Sequence, residues 1–208
     1  GVNLVFMGMG EPLANYDAVM DAVRILHDGQ GLNLGARRIT MSTSGLVPQI
    51  ERLAGEGLAL GLALSLHATT DELRDTLVPV NRRWPLAQLL PAAQAYGLRT
   101  GRRVSLEYTL LAGVNDSPAD ADRLAAIARD LPSKINLIPY NPVPGAPYRR
   151  PTPEALQAFA ERLYPRAPAV TVRQTQGAEI GAACGQLAGR GTRAPGTHAK
   201  RGSGSDAA

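Results

Sequence analysis

Residues 58–67 read Leu-Ala-Leu-Gly-Leu-Ala-Leu-Ser-Leu-His, and this stretch decides the fold class. The run 58–66 is apolar enough to be buried on both faces, the pattern of a strand inside a parallel sheet. Such a strand needs a crossover to its neighbour, usually a helix. Both flanks meet that need. Upstream, 38–43 reads as a strand closed by Ser44-Gly45 and followed by a helix through Ile50 and Leu53. Downstream, two helical pieces at 71–77 and 85–96, split by the turn at Pro79, precede an alternating strand at 103–111.

The same alternation extends to both ends. Residues 2–9 form a short apolar strand ending in a Gly-rich turn, and 17–27 carry Val19, Val23 and Leu26 at helical spacing. A helix at 118–131 with Pro118 in its first position leads to a strand at 134–140, stopped by the loop 142–147. A helix at 153–164 and a strand near 170–175 follow. Repeated βα units of this length predict an α/β fold, a parallel sheet with right-handed crossovers that is either open or closed into a barrel. Residues 1–189 read as one domain. Beyond Gly189 the apolar periodicity ends, and 190–208 read as a disordered basic tail.

Composition narrows the function classes. No stretch approaches the roughly 18 unbroken apolar residues of a membrane span. The first residues carry no basic segment and do not read as a signal peptide. They lack an initiator Met and are apolar from Val2 onward, as expected of a fragment. The single cysteine, Cys184, excludes an internal disulfide and fits a reducing cytoplasm. One cysteine and the scattered His27, His67 and His198 cannot assemble a zinc or iron–sulfur site, so no metal ligand is assigned. The net charge of +4 is compatible with a polyanionic partner and is weak evidence for one.

Position says more than composition. The first strand ends in Gly8, Gly10 and Glu11, the second in Ser42 and Ser44, the third in Ser65 and His67, and the fifth in Asn141. In parallel βα architectures ligands bind at the C-terminal ends of the strands. Each residue also has a plain structural reading. The glycines can punctuate a turn, Ser42 or Ser44 can cap the next helix, His67 can be a satisfied structural histidine, and Asn141 before Pro142 is a normal turn residue. Four such coincidences on four strand ends are less expected than any one, so the pattern predicts a ligand site without naming the ligand. Cys184, between Ala183 and Gly185, reads either as a small buried hydrophobe or as a reactive thiol in a mobile loop.

Five segments resemble one family. They are Phe6-Met7-Gly8-Met9-Gly10-Glu11-Pro12-Leu13, 37–45 (RRITMSTSG), Ser65-Leu66-His67-Ala68, 134–142 (KINLIPYNP) and 182–189 (AACGQLAG). In this order they are similar to the signatures of the dual-specificity 23S rRNA and tRNA adenine-C2 methyltransferases, the RlmN-type radical S-adenosylmethionine enzymes. The match runs from residue 1 to about 189. The resemblance implies a partial (β/α)6 TIM-like radical-SAM barrel lacking its first strand. It implies S-adenosylmethionine contacts from Gly10, Glu11, Ser42, Ser65, Leu66, His67 and Asn141, with Glu11 accepting from the amino group. It makes Cys184 the cysteine that is methylated and delivers the carbon to the base. Adenine C2 is not nucleophilic, so the family works by radical addition. A second S-adenosylmethionine, cleaved reductively at a [4Fe–4S] cluster, yields a radical that takes hydrogen from the methylthio group. The implied partners are 23S rRNA, tRNA and an external electron donor, for a cytoplasmic monomer without membrane association. The CxxxCxxC cluster motif, the resolving cysteine and the basic carboxylate of the family are absent from this chain, which is therefore expected to be inactive alone. The C8-methylating relative (Cfr type) shares most of these motifs. A non-catalytic RNA-binding remnant and a generic phosphate-binding barrel are the other readings.

Overall fold

The computed structural model describes residues 1–8 and 10–173. Cys184, the boundary at Gly189, and the tail lie outside the described residues. Six strands form one parallel sheet: β1 (Leu4–Phe6), β2 (Ile39–Thr43), β3 (Gly61–Ser65), β4 (Val104–Leu110), β5 (Ser133–Pro139) and β6 (Val170–Val172). Their spatial order is their sequence order. The crossovers contain α1 (Tyr16–His27), α2 (Val47–Ala54), α3 (Asp71–Leu77) with α4 (Leu86–Thr100), α5 (Pro118–Asp130) and α6 (Pro153–Leu163). Right-handed crossovers between strands that always step in one direction place every helix on the same side of the sheet. The α/β barrel-like architecture expected from the sequence is the one observed, with β1 and β6 at its two edges among the described residues.

Strand alternation then separates two faces. Ile39, Met41, Leu62, Leu64, Leu106, Tyr108, Ile135 and Leu137 point toward the helices, where they join Met20, Ile50, Leu89, Leu124 and Phe159 in one core. Tyr108 stacks on Phe159, their ring centroids 5.8 Å apart. The alternate residues, Thr40, Ser42, Ala63, Ser65, Ser105, Glu107, Thr109 and Asn136, line the inner face. Gly61 is required by the approach of β2 to β3, since a Cβ there would sit 2.6 Å from Thr40 Oγ1.

Boundaries differ from the sequence reading where backbone bonds leave the ladder. β3 is shorter than 58–66. At its start Leu60 N–H turns back to the Leu58 carbonyl (2.9 Å), and at its end the N–H groups of Leu66 and His67 both donate to the Glu107 carbonyl. Two residues against one is a bulge, and it ends the strand before Leu66. α4 runs past Tyr96 to Thr100 because the stop signal is Gly101, in the left-handed conformation at φ 64°. Pro118 opens α5 as expected, with Ser117 and Asp120 forming a reciprocal capping box.

Candidate functional site

The residues singled out from the sequence collect at the C-terminal ends of β1, β2, β3 and β5, tied by hydrogen bonds that the sequence did not announce. Glu11 follows β1 and caps a short 3-10 turn by accepting from Leu13 N–H (3.0 Å). Its other oxygen accepts from both Ser44 N–H (2.6 Å) and Ser44 Oγ (2.7 Å). Ser44 therefore does not cap α2, and neither does Ser42: the N-cap position is Leu46 and carries no side-chain bond. A carboxylate offers about four lone-pair sites, so Glu11, with three in use, keeps one for a ligand donor.

Beneath this loop lies Arg74 of α3, fully buried. Its guanidinium donates to three main-chain carbonyls at the ends of β2 and β3: Ser44 (2.6 Å), Ser65 (3.1 Å) and Leu66 (3.1 Å). A fourth bond reaches Asn81 Oδ1 (2.8 Å), whose amide in turn donates to Asp71 and Asp75. Burial lowers the Arg74 pKa to about 10 while the two aspartates oppose the shift, so the side chain remains charged at neutral pH. This buried cation fixes the orientation of the peptide planes from which the rim is built. Nothing in the sequence marked it, because an arginine within an acidic helix (DELRDTL) reads as a solvated surface residue.

His67 has a positive φ of 57°. Its Nδ1 accepts from Thr109 N–H (3.0 Å), and a main-chain N–H can only donate, so Nδ1 is unprotonated. Burial, with a smaller push from the Arg74 charge, lowers the imidazole pKa to about 4. At neutral pH the ring is thus neutral with its hydrogen on Nε2, a donor not bonded within the described residues. The strained backbone is held by Asn115, whose amide donates to the carbonyls of His67 (2.8 Å) and Thr109 (2.8 Å). Its Oδ1 accepts from Leu111 N–H (2.7 Å).

Four more candidates complete the rim. Ser42 and Ser65 sit half-buried on the inner face, and their hydroxyls bond nothing among the described residues. Asn141, after β5, is buried and accepts from Arg150 (3.0 Å). Gly10, at φ 113°, and Glu11 help line a cavity of about 380 Å³ beside β1, with Phe6, Gly8 and Val19 in its wall. Leu66 is turned the other way. Its side chain is fully buried in the helix-facing core, its N–H is taken by Glu107, and its carbonyl serves Arg74 and Ala68. Any contact it makes with a ligand is one of packing.

A family model for the radical SAM superfamily matches residues 1–125. The chain belongs to that superfamily. A probable dual-specificity RNA methyltransferase RlmN of Symbiobacterium thermophilum is 56% identical over 191 residues, 91% of this chain and 52% of that protein. The dual-specificity RNA methyltransferase RlmN of an Anaeromyxobacter species is 55% identical over 189 residues, 91% of this chain and 50% of that protein. A solved radical SAM methyltransferase from Sphaerobacter thermophilus superposes with a TM-score of 0.86 at 54% identity, covering 89% of this chain and 54% of that one. A domain of a pyruvate-formate lyase-activating enzyme from Bacteroides vulgatus shares the fold at a TM-score of 0.64 and 19% identity, covering 84% of this chain and all of that one. The chain spans about half the length of the curated relatives it matches.

The superfamily uses S-adenosylmethionine and an iron–sulfur cluster. The rim suits the first: among the described residues one acceptor site remains on Glu11, two serine hydroxyls stand unbonded on the inner face, and His67 presents a neutral donor. The cluster is a different matter. No group of three or more His, Cys, Asp or Glu side chains is placed to hold a metal among the described residues. The lone Cys184 lies outside them, so cluster ligation is not assigned to this chain. No helix among the described residues is long and apolar enough to cross a membrane.

Proposed function

We propose that the protein carrying this chain is a radical S-adenosylmethionine-dependent methyltransferase acting on adenine C2 of 23S rRNA and of tRNA in the cytoplasm, supplied by an external electron donor and working as a monomer. The observation that carries this reading is identity above 50% to proteins named RlmN along nine-tenths of the chain. The polar rim supports it, because Gly10, Glu11, Ser42, Ser65, His67 and Asn141 stand out by strand-end position alone and are also positions that the resemblance assigns to the cofactor.

S-adenosylmethionine, when bound, supplies the methyl group. In this reading Glu11 accepts from its amino group with the acceptor site that Leu13 and Ser44 leave free. Ser42 and Ser65 contact it from the inner face, Gly10 packs against it, Leu66 acts only through the main chain that ends β3, and Asn141 and the Nε2–H of His67 bound the remaining side. Cys184 holds the methyl group as a thioether and presents it to the base. The cysteine is required because adenine C2 does not attack a sulfonium carbon.

Nucleoside mass spectrometry of 23S rRNA, from a host without its own adenine-C2 methylation, tests this. The complete gene is expected to restore 2-methyladenosine, and Cys184→Ala to abolish it. An 8-methyladenosine product would replace C2 by C8 in the assignment, and unmodified RNA with the intact gene would sink the reading.

A further inference from the structure

Glu107 is the buried ionisable group that the cofactor assignment leaves unused. It stands in the middle of β4 on the inner face, 5% exposed. One oxygen accepts from Ser105 Oγ (2.6 Å) and the other from Asn136 Nδ2 (2.7 Å). Asn136 is itself oriented by Thr171, whose hydroxyl donates to its Oδ1 (3.1 Å). Both partners are neutral, and among the described residues no Lys, Arg or His forms an ion pair with Glu107. A carboxylate withdrawn this far from water without a counter-charge is unfavourable unless further donors reach it. With about four lone-pair sites and two in use, it has room for two more.

Register places those free sites in the ligand region. Ser65 pairs with Glu107 across β3 and β4, Glu107 with Asn136, and Asn136 with Thr171. The four residues therefore form one row across the inner face, at the depth of a hydroxyl that bonds nothing among the described residues. A ligand resting on Ser65 lies one strand spacing, about 4.8 Å, from the Glu107 column. Within the row the side chains beside Glu107 are Ser65, Asn136 and Thr171, all neutral; the Arg74 charge stands behind the end of β3, and Lys134, opposite Ser105, is exposed and forms no ion pair with Glu107 among the described residues. Two adjacent hydroxyls match a carboxylate's two oxygens.

We propose that Glu107 is a further ligand-binding residue of this site, accepting hydrogen bonds from the vicinal hydroxyls of a ribose. This rests on the methyltransferase reading, which supplies two such riboses, one in S-adenosylmethionine and one in the target nucleotide of the RNA.

The test measures equilibrium affinities of the complete protein and its Glu107→Gln variant for four ligands: S-adenosylmethionine, its 2′-deoxy analogue, substrate RNA, and the same RNA with 2′-deoxyadenosine at the target. The native protein is expected to prefer the ribo form of one pair by about tenfold, the scale of a hydrogen bond to a charged group. The variant is expected to lose that preference for the same pair while its melting temperature shows it folded. A preference lost in the S-adenosylmethionine pair identifies the cofactor ribose, and one lost in the RNA pair identifies the target nucleotide. A folded variant that keeps the preference overturns the proposal. So does a native protein that does not distinguish ribo from deoxy in either pair, and that arm decides the question even if the variant does not fold. A native protein binding neither S-adenosylmethionine nor RNA would remove the methyltransferase reading and this inference together.

Discussion

The two faces of the sheet are built from alternate residues of the same strands, yet they obey different rules. In β2, Ile39 and Met41 are fully buried against the helices, while the alternate residues Thr40 and Ser42 are half-buried, polar and on the inner side. In β4, Leu106 and Tyr108 pack outward and Ser105, Glu107 and Thr109 face inward. On the helix side, stability follows apolar burial. On the inner side, polar groups are held in place with bonding capacity left over. In the proposed reading, stability and ligand recognition thus occupy neighbouring positions and are separable by single substitutions.

The largest expected effect crosses that division. Arg74→Met should destabilise the protein by about 4 to 5 kcal/mol, because three strand-end carbonyls and Asn81 lose their partner inside the fold. Arg74→Lys should recover part of the urea midpoint and less of the S-adenosylmethionine affinity, since an ammonium cannot span all three carbonyls. Equal recovery of both would mean that the cation stabilises without shaping the rim.

The next sharpens the contrast within the sheet. Leu64→Ala, on the helix side, should cost about 3 to 4 kcal/mol of stability while leaving S-adenosylmethionine affinity unchanged. Ser42→Ala, on the inner side, should leave stability within about 0.5 kcal/mol and weaken that affinity several-fold. The comparison breaks if urea melts and binding titrations give the two variants the same profile.

The smallest concerns pH. The folded pKa of His67, about 4, lies below its ordinary value of 6.5, so the unfolded chain binds a proton first as pH falls. Its contribution is therefore fully present above pH 6.5 and is lost progressively down to pH 4, by up to about 3 kcal/mol. His67→Gln should flatten the pH dependence of the melting temperature in that window. An unchanged slope would place the acid sensitivity elsewhere.

Much of the fold was legible because it is periodic. Apolar runs and helical spacing located each strand and helix, and Pro118 marked the start of α5 correctly. The rim positions were legible because small and polar residues at strand ends stand out against apolar runs. The bonds between them were not. Ser44 reads as a helix cap from its neighbours in the chain, but its partner is Glu11, 33 residues away. Glu107 carried a usable signal, a charge at an inward position of an alternating strand, yet alternation alone does not say which face is buried.

The sequence by itself determined the α/β class, the order of the elements and the strand ends at which small and polar residues collect, because these follow from local periodicity and chain direction. Only the tertiary structure decided that Arg74 is a buried clamp, that His67 is neutral with its hydrogen on Nε2, and that Ser65, Glu107, Asn136 and Thr171 form one row. Those outcomes depend on desolvation and on partners distant in sequence, and neither is encoded in the spacing of nearby residues.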